Sequence, residues 1–92
     1  MKAIVTVIGR DRVGIIADVS RILAEQGVNV LDISQTVLQE YFTMIMLVDA
    51  SACRVPFAEL TALLRREGEA LGLDIRAQRE DIFNALRRAE DP

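Results

Sequence analysis

The loop between Gly9 and Gly14 contains the residue types in this sequence that are best suited to binding a small anion. It follows an apolar run and precedes an amphipathic segment. A glycine at a helix start lets a ligand approach the backbone, and the first N–H groups of a helix favour a carboxylate. The candidate contacts are Asp11, Arg12, Gly14 and Ile15, together with the backbone N–H of Ile16. Alternatively, Gly14 only turns the chain and Asp11 caps the helix. The loop matches neither of the glycine-rich phosphate motifs.

Asn29 and Val30 form a second candidate group at the start of a later strand. An amide side chain both donates and accepts hydrogen bonds, so Asn29 is suited to the polar groups of an amino acid. We expect Asn29 to lie close to the first loop. The alternative is that it binds local backbone. Further along this strand, Asp32, Ser34 and Thr36 share one face, which predicts a polar groove between subunits or a solvated stripe.

The sequence shows none of the residue arrangements that acid–base, nucleophilic or metal catalysis usually requires. There is no histidine, so the commonest general base and histidine-dependent metal sites are excluded. Cys53 therefore has no histidine partner to activate it. Asp11 and Asp32 are the only carboxylates near the candidate site, and nothing in the sequence perturbs them. We expect neither an enzyme, nor a metal site, nor a cofactor.

Composition narrows the class of partner. Eleven basic and fourteen acidic residues give a formal net charge of −3, which disfavours nucleic acid as a partner. The arginines are interleaved with glutamates, as on a solvated surface. We find no signal peptide and no apolar run of membrane-spanning length. The single cysteine suits a reducing compartment, so we expect a cytoplasmic protein that does not bind membranes.

The hydrophobic pattern predicts one α+β domain over residues 1–92. Its element order is that of a ferredoxin-like βαββαβ fold, with an antiparallel four-stranded sheet, two helices on one face and a C-terminal helix. The predicted strands are Ala3–Ile8, Val28–Leu38, Phe42–Val48 and Leu73–Gln78, and the predicted helices are Val13–Gln26, residues 56–71 and a C-terminal extension over residues 80–89.

The first and third strands are apolar on both faces, which is typical of central strands buried on two sides. Two right-handed crossovers place both helices on the same face of the sheet. The other face then needs a cover, because large apolar patches are rare on monomers. The C-terminal helix can supply part of that cover, but a second subunit supplies it more economically. We therefore expect a homodimer.

The segment VIGRDRVGIIADVSRILAEQGVNV resembles the ACT domain family, with its Asp-Arg-x-Gly loop and its Gly-x-Asn-Val strand start. Val13 stands where the family often has proline. The ending resembles small single-domain ACT proteins of bacteria and archaea. The resemblance implies that Gly14 contacts ligand, that Asn29 and Val30 begin the second strand, and that Ile33 is a buried position after them. It also implies a regulatory homodimer that binds a small molecule, most simply an amino acid, and that acts through ligand binding alone or through an unidentified protein partner. The alternative function is a protein–protein adaptor that dimerises without a ligand.

Overall fold

The structure is a computed structural model that describes residues 1–82. Its strands form one antiparallel sheet in the order β2-β3-β1-β4, which confirms the predicted ferredoxin-like arrangement with the first and third strands in the middle. Residues 80–82 are helical, and the rest of the predicted C-terminal helix lies outside the described residues. The elements are β1 (Lys2–Arg10), α1 (Ile15–Glu25), β2 (Asn29–Leu38), β3 (Tyr41–Asp49), α2 (Phe57–Ala70) and β4 (Leu73–Arg79).

The core lies between the two helices and one face of the sheet. Residues directly opposite each other on neighbouring strands share a face. Val7 lies opposite Met44 on one side and Ile75 on the other, and all three side chains are buried. The helices contribute the apolar stripes that the sequence predicts. The largest fully buried side chains are Ile15, Val19, Leu23, Leu60 and Leu64 from the helices and Val5, Val7, Met44, Met46, Val48 and Ile75 from the sheet.

Helix α1 begins at Ile15, two residues later than the predicted start at Val13. Gly14 precedes it with φ of +93°, a left-handed conformation that cannot continue into a right-handed helix. The predicted C-terminal glycine is confirmed, since Gly27 has φ of +74° and donates its N–H to the carbonyl of Ala24.

No element within residues 1–82 covers the sheet face opposite the helices, and we call this face the open face. Ile8 and Ile45 lie near its centre, and each is 51% exposed. This observation agrees with the two-sided apolar character of β1 and β3 in the sequence. The side chains in the three middle rows of the open face are Ile4, Thr6 and Ile8 of β1, Thr43, Ile45 and Leu47 of β3, Asp32, Ser34 and Thr36 of β2, and Asp74, Arg76 and Gln78 of β4.

Strand β2 forms one edge of the sheet and has an outer side without a partner strand among the described residues. Its helix-side residues Ile33 and Val37 are 41% and 44% exposed, so the expectation that Ile33 is buried is wrong for the single chain, because β2 lies at the edge of the sheet. On the same side, Val30 is half-buried against the core. A long edge strand with exposed apolar residues is a ready template for pairing with another strand.

Candidate functional site

The loop between β1 and α1 is shaped by the left-handed conformation of Gly14. Its carbonyl accepts the N–H of Asp18 at 2.9 Å, which closes the first turn of α1. No side chain in the described residues caps this helix, so the interpretation of Asp11 as its cap is wrong. The N–H groups of the first turn have no partner inside the helix, and this makes the loop chemically suited to a carboxylate.

Position 14 requires glycine because of its backbone angle and not because of a lack of space. A Cβ atom built there would find only Nη1 of Arg12 within 4 Å, at 3.8 Å. A substituted side chain would therefore have room, although it would be held at a φ that non-glycine residues rarely adopt. A substitution at Gly14 is therefore expected to strain the loop without a steric clash.

Arg12 is engaged within the chain. Its Nη2 donates to Oδ2 of Asp18 at 3.2 Å and to the carbonyl of Leu71 at 3.3 Å, and its Nη1 donates to the carbonyl of Val13 at 3.1 Å. The guanidinium thus joins the loop to the first turn of α1 and to the end of α2. A ligand that contacts this cation has to share it with Asp18.

A cavity of about 310 Å³ lies beside the loop and is lined by Arg12, Gly14, Ile15, Ile16, Ala17 and Phe42. This volume is at the lower end of the range for ligand pockets, about 300–1,000 Å³. The side chain of Ile15 is buried in the core, so only its backbone can face a ligand. Ile16, whose backbone N–H was expected to face an anion, is 43% exposed, and its side chain forms an apolar wall that was not predicted.

The loop also contacts the turn between β2 and β3. The N–H of Asp11 donates to the carbonyl of Glu40 at 2.8 Å, while the Asp11 side chain is exposed. The preceding residue of this turn, Gln39, has φ of +55°. The turn ends at Tyr41, where β3 begins. Through this contact the loop touches the end of the edge strand β2.

Asn29 does not lie near the loop of its own chain, so the expectation that the two would be close is wrong. Asn29 is opposite Asp49, which is opposite Lys2, at the end of the sheet where β1 begins. The loop follows Arg10, at the other end. Eight residues of extended strand separate the two ends, or about 26 Å at roughly 3.3 Å per residue. The physical reason is that α1 returns along the sheet before β2 starts.

The polar residues Asp32, Ser34 and Thr36 do share one face, as the sequence indicates, and it is the open face. Ser34 and Thr36 line a shallow groove of about 210 Å³ together with side chains of β1 and β3. All three are exposed in the single chain.

Electrostatics at the Asn29 end of the sheet centre on Asp49. Hydrogen bonds from the hydroxyl and the N–H of Ser51, at 2.6 and 2.9 Å, hold the pKa of this carboxyl below its usual value. Within residues 1–82 there is no group of three or more potential metal-ligating side chains. None of the helices described there is long and apolar enough to cross a membrane.

Comparisons with known proteins agree with this architecture. A UPF0237 protein of Clostridium acetobutylicum is 58% identical over 88 residues, which are 96% of this chain and 99% of that protein. The structure of an ACT domain protein from Streptococcus pneumoniae is 46% identical, with a TM-score of 0.81 over 90% of this chain and 93% of that one.

A more distant structure, the regulatory subunit of aspartate kinase from Thermus thermophilus, is 27% identical, with a TM-score of 0.65. The similarity covers 84% of this chain and 50% of that subunit. The model of the ACT domain family matches residues 2–78. The chain therefore belongs to the ACT domain family.

Proposed function

We propose that this protein is a cytoplasmic, homodimeric sensor of an amino acid and that it has no catalytic activity. In this proposal the ligand binds between the β1–α1 loop of one copy and Asn29 of the other. The observation that carries it is the separation of these two groups within one chain, at opposite ends of the sheet. Two strands that pair antiparallel run in opposite directions, so edge pairing of β2 brings the opposite ends of two copies together.

The exposed apolar residues of β2 favour one register for this pairing. Ile33 and Val37 flank Gln35 on the helix side of the strand. Antiparallel pairing centred on Gln35 sets Ile33 of each copy opposite Val37 of the other. All four side chains then lose exposed apolar surface, and branched cross-strand pairs of this kind stabilise sheets.

In the same register, Asn29 of the second copy comes to the turn formed by residues 39–41. That turn is already bonded to the ligand loop, because Asp11 donates to the carbonyl of Glu40. The bulge between Val30 and Asp32 bends this end of β2. The loop of one copy and Asn29 of the other then lie at the same end of the paired sheets, next to the interface.

The chemistry of this composite site suits an amino acid. Backbone N–H groups at the start of α1 and the nearby Arg12 attract the carboxylate. The amide of Asn29 can accept from the ammonium group and donate to the carboxylate. The exposed face of Ile16 accommodates a small apolar side chain. The family membership and the similarity to a regulatory subunit of aspartate kinase support a regulatory role.

A ligand that binds only across the interface stabilises the dimer. At a free concentration of 100 times Kd, the gain is about 2.7 kcal/mol. The test is thermal denaturation with each amino acid in turn. We expect one or a few to raise the melting temperature, and we expect Asn29→Ala to abolish that shift. Gln78→Ala removes an amide from β4, far from the β2 edge, and serves as the control.

Mixing two defective variants tests whether the site is shared between copies. Gly14→Ala chains and Asn29→Ala chains each form dimers without an intact site. A mixed dimer has one intact site, made from Gly14 of one chain and Asn29 of the other. Recovery of ligand binding on mixing supports the proposal, whereas no recovery refutes a site between copies.

An adaptor without ligand is the second candidate function. It is favoured by the contacts of Arg12, whose guanidinium is already bonded to Asp18 and to the carbonyl of Leu71. If no amino acid shifts the melting temperature of an intact dimer, even at millimolar concentration, the adaptor replaces the sensor.

A further inference from the structure

We propose that the open face binds the open face of another copy and that two edge-paired dimers thereby stack into a tetramer. The tetramer rests on the edge pairing of the proposed function, whereas the face-to-face contact rests on the open face alone. The occupant is a second copy of this chain, placed by a two-fold axis that runs across the strands.

The open face has the composition of a protein interface. Its centre is apolar or hydroxyl-bearing, with Ile8 and Ile45 half-exposed. Charged residues lie around this centre, with Lys2 and Asp49 at one end and Arg10 at the other. An apolar centre with a polar rim is the usual anatomy of an interface, and large apolar patches are rare on surfaces that stay exposed.

The symmetry of a closed assembly of two edge-paired dimers determines the relative orientation of two stacked open faces. The axis of the edge pair is perpendicular to the sheet, and the axes of a closed four-copy assembly intersect at one point. Each open face then lies on that of a copy related by an axis across the strands. Each strand therefore lies over the same strand of the other copy, and the two run in opposite directions.

Charge complementarity on β4 locates this axis. Asp74 and Arg76 lie on the open face on either side of Ile75 and form an ion pair at 3.2 Å. If the two-fold axis passes at the level of Ile75, the β4 strands of the two copies run in opposite directions there. Arg76 of each copy then faces Asp74 of the other copy. The two intrachain pairs then merge into a network of four alternating charges.

The level of Ile75 is also the level of Gln35. Ile75 lies opposite Val7, Val7 opposite Met44, and Met44 opposite Gln35, so all four form one row across the sheet. The apolar match at the β2 edge is centred on Gln35, and the charge match on β4 is centred on Ile75. Two unrelated features therefore place the two perpendicular axes at the same level of the sheet, so the axes can intersect as a closed assembly requires.

The buried area favours stacked dimers over a single pair of faces. Four strands about 4.8 Å apart and rows of side chains spanning about 26 Å give each open face roughly 500 Å². One pair of faces buries about 1,000 Å², below the roughly 1,200–2,000 Å² of a standard stable interface. Stacked dimers join two pairs at once and bury about 2,000 Å², which is enough.

The experiment is mass determination of the full chain by native mass spectrometry and sedimentation equilibrium. We expect four copies for the natural sequence and two for Ile45→Lys. Arg76→Asp and Asp74→Arg each set like charges against each other and are expected to halve the mass. The double variant Asp74→Arg/Arg76→Asp restores the alternation and is expected to return to four copies.

Reversing an ion pair remote from the sheet is the control. Arg21 and Glu25 form such a pair on α1, at 3.2 Å, and Arg21→Glu should leave the mass at four copies. Circular dichroism confirms that each variant is folded. A mass unaffected by Ile45→Lys overturns the face contact. Loss of the tetramer in Ile45→Lys without rescue by the charge swap overturns the orientation.

Two further outcomes separate this inference from the proposed function. If a chain that ends at Ile82 forms the tetramer and the full chain does not, residues 83–92 occupy the open face and the inference fails. If Ile33→Lys abolishes amino-acid binding while the face variants leave the mass unchanged, the sensor stands and the tetramer fails. A tetramer that binds no amino acid supports the stacking of open faces and refutes the sensor function.

Discussion

Replacement of Gly14 by alanine tests whether the backbone angle, rather than space, constrains the loop. The added Cβ meets nothing closer than Arg12 Nη1 at 3.8 Å, so no clash is expected. The cost comes from φ of +93°, and a left-handed conformation costs a non-glycine residue roughly 1–2 kcal/mol. For a domain of this size, each kcal/mol lowers the melting temperature by about 4–8 °C.

Gly72→Ala is the matched control for this strain. Gly72 has φ of +74°, and a Cβ there has no neighbour within 4 Å. Chemical denaturation of both variants, at one protein concentration because the protein is expected to oligomerise, should give similar losses of unfolding free energy. Gly14→Asn should cost less than Gly14→Ala, because asparagine tolerates the left-handed region.

The explanation by backbone strain is refuted if the unfolding free energy of Gly14→Ala lies within about 0.5 kcal/mol of the natural protein while Gly72→Ala is destabilised. A change of about 0.5 kcal/mol is the usual scale of a neutral surface substitution. In that case the loop adopts another conformation with alanine, and Gly14 is not constrained by its angle. Ligand binding supplies a second comparison: the sensor requires Gly14→Ala to lose more affinity than Gly72→Ala at equal loss of stability.

Two further substitutions test packing and electrostatics. In Gly68→Ala, the Cβ would lie 2.8 Å from Cγ1 of Ile75 and 2.9 Å from the carbonyl oxygen of Leu73, so overpacking should cost about 1–3 kcal/mol in urea denaturation, and a neutral result would contradict the close packing of α2 on β4. The depressed pKa of Asp49 adds stability above its unfolded value of about 3.9, and that stability is lost as pH falls through the folded pKa. Asp49→Asn and Ser51→Ala should therefore be less stable than the natural protein at pH 6, with the difference shrinking at pH 3, and a difference that persists at pH 3 would contradict this assignment.

The fold was predictable because its signals are periodic and repeated. The two-sided apolar character of β1 and β3 identified the central strands, and the apolar stripes identified both helices. The start of α1 was predicted two residues early, because the sequence does not show which backbone angle a glycine adopts. The partners of Arg12 were also beyond prediction, since Leu71 is 59 residues away.

The misplacement of Asn29 has a different origin. The predicted topology was sufficient to place Asn29 correctly. A helix that follows a strand returns along the sheet, so the next strand begins at the end of the sheet far from the first loop. Sequence proximity to α1 and the motif shared with the family suggested that Asn29 lies beside the loop of its own chain, within a site expected at a subunit interface. The structure corrects the position of Asn29, so in the proposed site the amide near the loop has to come from a second copy.

The β1–α1 loop is joined to the turn that follows the edge strand β2 by a hydrogen bond from the N–H of Asp11 to the carbonyl of Glu40. In the proposed sensor this contact connects ligand chemistry to subunit pairing, because the same turn receives Asn29 of the second copy. A ligand shifts an equilibrium only by its difference in affinity for the two states, typically about 1–3 kcal/mol of coupling. Here that difference is built in, since an unpaired chain presents only half of the site. Ligand affinity should therefore rise with protein concentration, in proportion to the fraction of chains that are paired through β2.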